Sequence, residues 1–238
     1  MQIGESQRPG FWSRRWAPHE WLGLHLSLGL LFCITLLACF AFVALKANGH
    51  QPPRVDQHIK DSLWEHRESS PGMAAFFLWL TQWGAGYYIA AAATLGATIL
   101  ILQRRFIAAI ILILVIATAP LLDSWVKDIF QRARPTEIDP RAPEHSYSFP
   151  SGHSMESMIA YGMLGYVLVL SLPRRWQRVT SVSGLTLLIL AIGFSRMYLS
   201  AHWFTDVLGG FSLGAAWAAL WITVLECGRR HAALARRA

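Results

Sequence analysis

The feature that most constrains this chain is a series of apolar runs too long for the helices of a soluble core. Residues 21–45 contain no Asp, Glu, Lys or Arg, and a helix needs about 20 such residues to cross the hydrocarbon of a bilayer. Further mostly apolar runs occupy 87–102, 106–125, 153–172, 179–194 and 203–225. In hydrocarbon each backbone N–H and C=O has to be satisfied inside its own segment, which a helix achieves. The expected fold is therefore all-α, a polytopic membrane protein with six transmembrane helices. Residues 73–80 are apolar but few, and Gly84 and Gly86 interrupt the chain just beyond them. That stretch is expected to be a re-entrant or interfacial helix leading into the second span.

Composition agrees. Apolar residues make up 54% of the 238 and charged residues 15%, with mean hydropathy +0.36, against about 25% charged in an ordinary soluble domain. This excludes a disordered chain or a charged coiled coil and disfavours a soluble globule. The net charge of +7 does not point to nucleic acid, because no basic stripe is interleaved with aromatics and the basic clusters flank the apolar runs. Cys33, Cys39 and Cys227 lie in or beside apolar segments without a C-x-x-C partner, so neither a disulfide framework nor a zinc site is expected. The first 20 residues are polar and basic with no apolar signal core, so no cleaved signal peptide is expected.

Six spans put both termini on one side. The 1–20 tail, the 103–105 turn, the 173–178 loop and the C-terminal tail carry 12 of the 21 Lys and Arg. The short-loop clusters Arg104/Arg105 and Arg174/Arg175/Arg178 weigh most in the positive-inside rule. The termini are thus expected in the cytoplasm of a cell (inner) membrane, and 46–86, 126–152 and 195–202 on the outer, periplasmic side. The expected domains are a cytoplasmic tail 1–20, in which Arg14 and Arg15 anchor the start of the first span, and a six-span domain 21–226. The 46–86 outer loop of that domain carries amphipathic and re-entrant helices. A basic cytoplasmic tail, 227–238, completes the chain.

Three groups of titratable residues collect at the outer ends of spans three to six, where burying them costs free energy. Lys127 and Arg134 are seven apart, which on a helix places them on one face about 10 Å apart, with Pro135 ending the helix. An Arg fork and a Lys point charge suit a phosphate group. Pro150-Ser151-Gly152-His153 breaks the chain and opens the fourth span. Ser151 suits an N-cap, Gly152 admits close backbone approach, and the amides of the helix start form an anion site beside His153. His202 and Asp206 are i,i+4 and share a helix face. A carboxylate on one imidazole nitrogen would fix the tautomer and leave the other as nucleophile or base. Arg196 adds a third cation. Each group alone also has a bland reading: a solvated cation pair, a turn with a capping Ser, or a His–Asp pair joining two helices.

Taken together, Lys127-x6-Arg134-Pro135, Pro150-Ser151-Gly152-His153 and Ser195-Arg196-x5-His202-x3-Asp206 resemble the complete signature of the type 2 phosphatidic acid phosphatase superfamily. All eleven specified positions match in order. The motifs cover 127–206, and the six-span layout extends the likeness over roughly 21–226. The resemblance implies a membrane lipid phosphatase with its site at the outer face. His202 would attack phosphorus to form a phosphohistidine, Asp206 would hold its ring, and His153 would protonate the leaving group. Lys127, Arg134, Arg196, Ser151 and the Gly152 amide would hold the phosphoryl oxygens. Three cations and helix-start amides can serve where Mg²⁺ serves in kinases, so no metal and no cofactor are expected.

The expected partners are a membrane lipid phosphate substrate and the bilayer, with no nucleic acid; the oligomeric state is open. Candidate substrates are undecaprenyl pyrophosphate, phosphatidylglycerophosphate, phosphatidate and lipid A 1-phosphate. A lipid phosphotransferase would use the same phosphohistidine. A non-enzymatic transporter is disfavoured, because the middles of the spans hold almost no ionisable residue. His145 is expected to be a loop residue, and His50, His58 and His66, spaced by eight, build no metal site. Tyr147, Phe149, Trp203 and Phe204 are expected in an interfacial aromatic belt rather than along a lipid path. Gly210-x3-Gly214 is expected to serve close intramolecular packing rather than a dimer face.

Overall fold

The computed structural model describes residues 21–49, 51–141 and 145–235. The predicted 1–20 tail with Arg14 and Arg15, His50, and the end of the predicted basic tail lie outside them. Nine helices are present among the described residues: α1 (Trp21–Ala47), α2 (Arg54–Ser69), α3 (Pro71–Thr81), α4 (Gly86–Leu102), α5 (Phe106–Ala117), α6 (Ala119–Phe130), α7 (Gly152–Ser171), α8 (Arg175–Tyr198) and α9 (Phe204–Ala235), with a 3-10 turn at Gln82–Gly84. No strand occurs among those residues.

Five segments are long and apolar enough to cross a membrane: Leu26–Ala47, Phe106–Phe130, Gly152–Ser171, Arg175–Tyr198 and Phe204–Arg229. A sixth crossing exists only if a bent pair is counted as one, since Pro71–Gly84 and Gly86–Leu102 meet at 47°. The short helix expected at 73–80 is the first arm of that pair and the second predicted span is the other. Ala85, extended at φ −76° and ψ 152°, makes the break between the 3-10 turn and α4, and the chain beside it is closely packed. A Cβ on Gly84 would lie 2.8 Å from Ile192 and 2.9 Å from the His153 ring, distances that only glycine tolerates. The last helix runs on to Ala235, past the expected boundary at 226.

At the centre is α7, which packs against α9, α8, α4, α6 and α5. Met155, Ile159, Met163 and Val167, at a spacing of four, are each 0–1% exposed and form its innermost stripe. Lipid is as apolar as these side chains, so packing here gains dispersion and close fit rather than hydrophobic transfer energy. Small residues let the backbones approach. A Cβ on Gly210 would sit 2.6 Å from the Ser151 carbonyl oxygen, and one on Gly214 2.6 Å from that of Met155. The glycine pair of α9 therefore packs onto α7 within the chain. Phe149 is fully buried, with ring centroids 5.7 Å from Phe40 and 4.9 Å from Phe130. It is a core residue, not part of an interfacial belt.

The amphipathic α2 docks by ion pairs. Asp56, Lys60 and Arg67 share one helical face and reach Arg132 at 2.8 Å, Glu137 at 2.6 Å and Asp139 at 2.8 Å. Leu63 on the same face meets the cluster of α3 and Tyr198. The helix thereby covers the connection between α6 and α7, where the candidate site lies.

Candidate functional site

The predicted residues come together at one end of the bundle, but not all in the predicted way. Lys127 lies in the last turn of α6, which stops at Phe130. Gln131 then takes a left-handed conformation, φ 45°, and its N–H donates to the Lys127 carbonyl, the αL way of ending a helix. Arg134 is therefore not on the helix face of Lys127, and Pro135 does not end the helix. The reversal instead carries Arg134 back over His202.

Both ring nitrogens of His202 are occupied. Nδ1 lies 2.8 Å from the Ser148 carbonyl oxygen, and Nε2 lies 3.0 Å from Nη1 of Arg134. A carbonyl only accepts and a guanidinium only donates, so the network requires the Nδ1–H tautomer with the Nε2 lone pair toward Arg134. Burial, with Arg134, Arg196 and Lys127 facing the ring, pulls His202 well below the ordinary histidine value. The imidazole is neutral in this setting.

Asp206 is not the primary partner of that ring. Its Oδ2 is 3.5 Å from His202 Nδ1, beyond a good hydrogen bond. The fully buried carboxylate is ion-paired with Arg132 and accepts from the Ser148 hydroxyl and, at 2.9 Å, from the Trp203 N–H. Arg132 donates from its other terminal nitrogen to Asp56 at 2.8 Å. Asp56 is itself fully buried and accepts from the N–H and hydroxyl of Thr205 at 2.9 and 2.6 Å. Arg132 also accepts the Ser148 N–H on its carbonyl at 2.8 Å.

The other cations are also held. Lys127 pairs with Asp123 at 2.7 Å, and Gly152 gives both room: a Cβ there would meet Asp123 at 3.0 Å and the Lys127 ammonium at 3.4 Å. Arg134 donates to the carbonyls of Ser146, Ala201 and Tyr147 at 2.7, 2.8 and 3.1 Å. Arg196 is 2% exposed and donates to the Thr81 hydroxyl at 3.0 Å. Its carbonyl accepts from the N–H groups of Ala201 and His202 at 3.0 and 3.3 Å. His153, in the first turn of α7, is within electrostatic reach of Arg196, His202, Lys127 and Arg134. Ser151 holds the N-cap position, but its side chain makes no cap hydrogen bond; its Oγ accepts from the Ser154 hydroxyl at 2.9 Å. A cavity of about 600 Å³ opens beside the cluster, walled by Lys127, Arg132 and Arg134 and by His145, Ser146 and Tyr147. Tyr147 and His145 thus line this cavity.

Residues 108–227 match the PAP2 superfamily. Phosphatidylglycerophosphatase B of Bacillus subtilis (strain 168) is 30% identical over 184 residues, 76% of this chain and 88% of that protein. The chain belongs to the PAP2 superfamily. The crystal structure of a transmembrane PAP2 type phosphatidylglycerolphosphate phosphatase from Bacillus subtilis superposes with a TM-score of 0.75 at 28% identity, covering 82% of this chain and 96% of that one. Lipid phosphate phosphatase delta of Arabidopsis thaliana is 27% identical over 124 residues, 48% of this chain and 30% of that protein. This PAP2 chain is accordingly a multi-pass membrane protein.

Sequence reasoning missed Asp56, Thr81, Asp123, Arg132 and Ser148. The i,i+4 spacing of Asp123 and Lys127 was a readable signal. Arg132 sits between the two cations of the first motif, and its spacing to Asp206 carries no periodicity at all.

Proposed function

We propose that this protein is an integral membrane phosphatase that removes phosphate or pyrophosphate head groups from lipids through a phosphohistidine on His202. The observation that carries the reading is the fixed neutral tautomer of His202, with Nε2 directed at Arg134. Arg134 covers the lone pair. An arriving phosphate offers that guanidinium better acceptors, and its bond to Nε2 is exchanged for bonds to phosphoryl oxygens. Nε2 then bonds to phosphorus as the bond from phosphorus to the lipid-side oxygen breaks, and His153 gives that oxygen a proton. Water adds to the phosphohistidine, loses its proton to His153 and releases inorganic phosphate. Lys127, Arg134 and Arg196, with Ser151 and the Gly152 amide, hold the equatorial oxygens, where charge neutralisation does most of the work of phosphoryl transfer.

No step needs a metal. Asp123 and Asp206 are each tied to a cation. The site faces the outer, periplasmic side of the inner membrane with the termini in the cytoplasm, in keeping with the placement of the short basic turns. Phosphatidylglycerophosphate heads the substrate series because both the Bacillus subtilis sequence match and the superposed Bacillus subtilis crystal structure are named for it.

The test is phosphate release by detergent-purified protein from phosphatidylglycerophosphate, undecaprenyl pyrophosphate, phosphatidate and lipid A 1-phosphate in excess EDTA, with His202→Ala as control. EDTA-resistant release that the variant lacks supports the reading. Release by His202→Ala at the wild-type rate overturns the nucleophile, and loss in EDTA overturns metal independence. Absence of release from every lipid, with transfer to an added lipid acceptor, would make it a phosphotransferase.

A further inference from the structure

We infer that Arg132 and Asp56 are positioning residues that set the charge facing His202, so that α2, outside the matched segment 108–227, tunes the reactivity of the site. The inference rests on His202 being the nucleophile, as proposed above. Arg132 holds Ser148 at two points: its carbonyl accepts the Ser148 N–H, and its side chain pairs with Asp206, which accepts the Ser148 hydroxyl. The Ser148 carbonyl in turn holds His202 Nδ1. Orientation therefore passes from Arg132 through Ser148 to the imidazole.

Charge passes the same way. Two buried carboxylates, Asp56 and Asp206, share one buried guanidinium. A full carboxylate charge 3.5 Å from Nδ1 would favour the imidazolium, which has no lone pair to attack with. Arg132 cancels most of that charge. Asp56 draws part of the guanidinium away from Asp206 and at the same time fixes the first turn of α9 through both Thr205 donors. The remaining groups around the ring are cations or a second imidazole: Lys127 from α6, Arg134 from the connection, His153 from α7 and Arg196 from α8. Asp206 is thus the one anion directly at the ring among the described residues, and Arg132 and Asp56 decide how much of its charge the ring meets.

Charge and geometry can be separated by measuring kcat/KM against pH for Arg132→Gln, Arg132→Lys and Asp56→Asn. In Arg132→Gln, Asp206 keeps the Ser148 and Trp203 hydrogen bonds that favour its charged form, and the acid limb moves up by about one pH unit. Arg132→Lys keeps the charge but loses the fork, so kcat falls while the limb stays at the wild-type pH. Asp56→Asn leaves Arg132 wholly to Asp206 and moves the limb down. Rate losses in all three with no movement of the limb would overturn the inference and leave a merely structural role, as would movement of the limb in the same direction in Arg132→Gln and Asp56→Asn. Should Arg132→Gln fail to fold, the contrast between Arg132→Lys, whose limb stays in place, and Asp56→Asn, whose limb moves down, still decides it. The parent reading fails separately, through an active His202→Ala.

Discussion

The Nδ1 atom of His202 lies 2.8 Å from the carbonyl oxygen of Ser148 and 3.5 Å from Oδ2 of Asp206. A backbone carbonyl therefore fixes the tautomer, and the carboxylate, spent on Arg132, shapes the field around it. In serine-protease triads the carboxylate fixes the tautomer, and its amide variant loses about 10⁴ in kcat. Here Asp206→Asn should retain the correct tautomer and lose only about ten- to a hundredfold in kcat. Steady-state kinetics of the purified variant check this; a loss of 10⁴ or more would return the orienting role to Asp206.

The pH–rate profile should be bell-shaped, since the proposed nucleophile must be neutral and the proposed acid protonated. Desolvation and the surrounding cations hold His202 well below its ordinary value. It is therefore already neutral near pH 6.5, and the acid limb should fall below that pH. An acid limb above pH 7, or a flat profile between pH 5 and 9, would contradict the assignment.

Asp139 ties the connection before α7 to α2. Its carboxylate is fully buried, and although desolvation pushes its pKa up, Arg141 and Arg67 outweigh that and bring it from 3.8 to about 2. A depressed carboxylate stabilises the fold above its unfolded pKa and loses that contribution as pH falls through its folded one. The window is thus pH 4 down to 2, and because Arg141 is more than half exposed to solvent the contribution at neutral pH is at most about 2 kcal/mol. Asp139→Asn should lower Tm in detergent at pH 7 and flatten the dependence of Tm on pH below 4. An unchanged acid dependence would show that Asp139 is not the group responsible.

Gly210 and Gly162 separate packing from propensity. A Cβ on Gly210 would drive into the Ser151 carbonyl at 2.6 Å, whereas one on Gly162 meets nothing within 4 Å. Gly210→Ala should cost about 1–3 kcal/mol by overpacking and reduce turnover by shifting the start of α7. Gly162→Ala should be neutral or stabilising by up to about 1 kcal/mol. Thermal unfolding monitored together with phosphate release tests both.

The sequence by itself determined the membrane class and the rough extents of the helices, and it named residues that the fold brings to one end of the bundle. These rest on local facts: the length of an apolar run, a spacing of four along one helix, or a short motif whose residues lie within a few positions of each other. It also carried the packing role of Gly210 and Gly214, because small residues at that spacing serve close approach wherever the partner helix comes from. The tertiary structure decided what those residues do to one another. Only folding sets Arg132 between Asp56 and Asp206, residues 76 and 74 positions away. Only the left-handed turn at Gln131 separates Arg134 from the helix that its spacing to Lys127 suggested. Only the fold likewise brings Gly84 so near His153 and Ile192 that no side chain would fit there. Buried charges take whichever partners the fold brings within reach, because leaving one unpaired costs several kcal/mol, and that pairing has no period along the chain for a sequence to display.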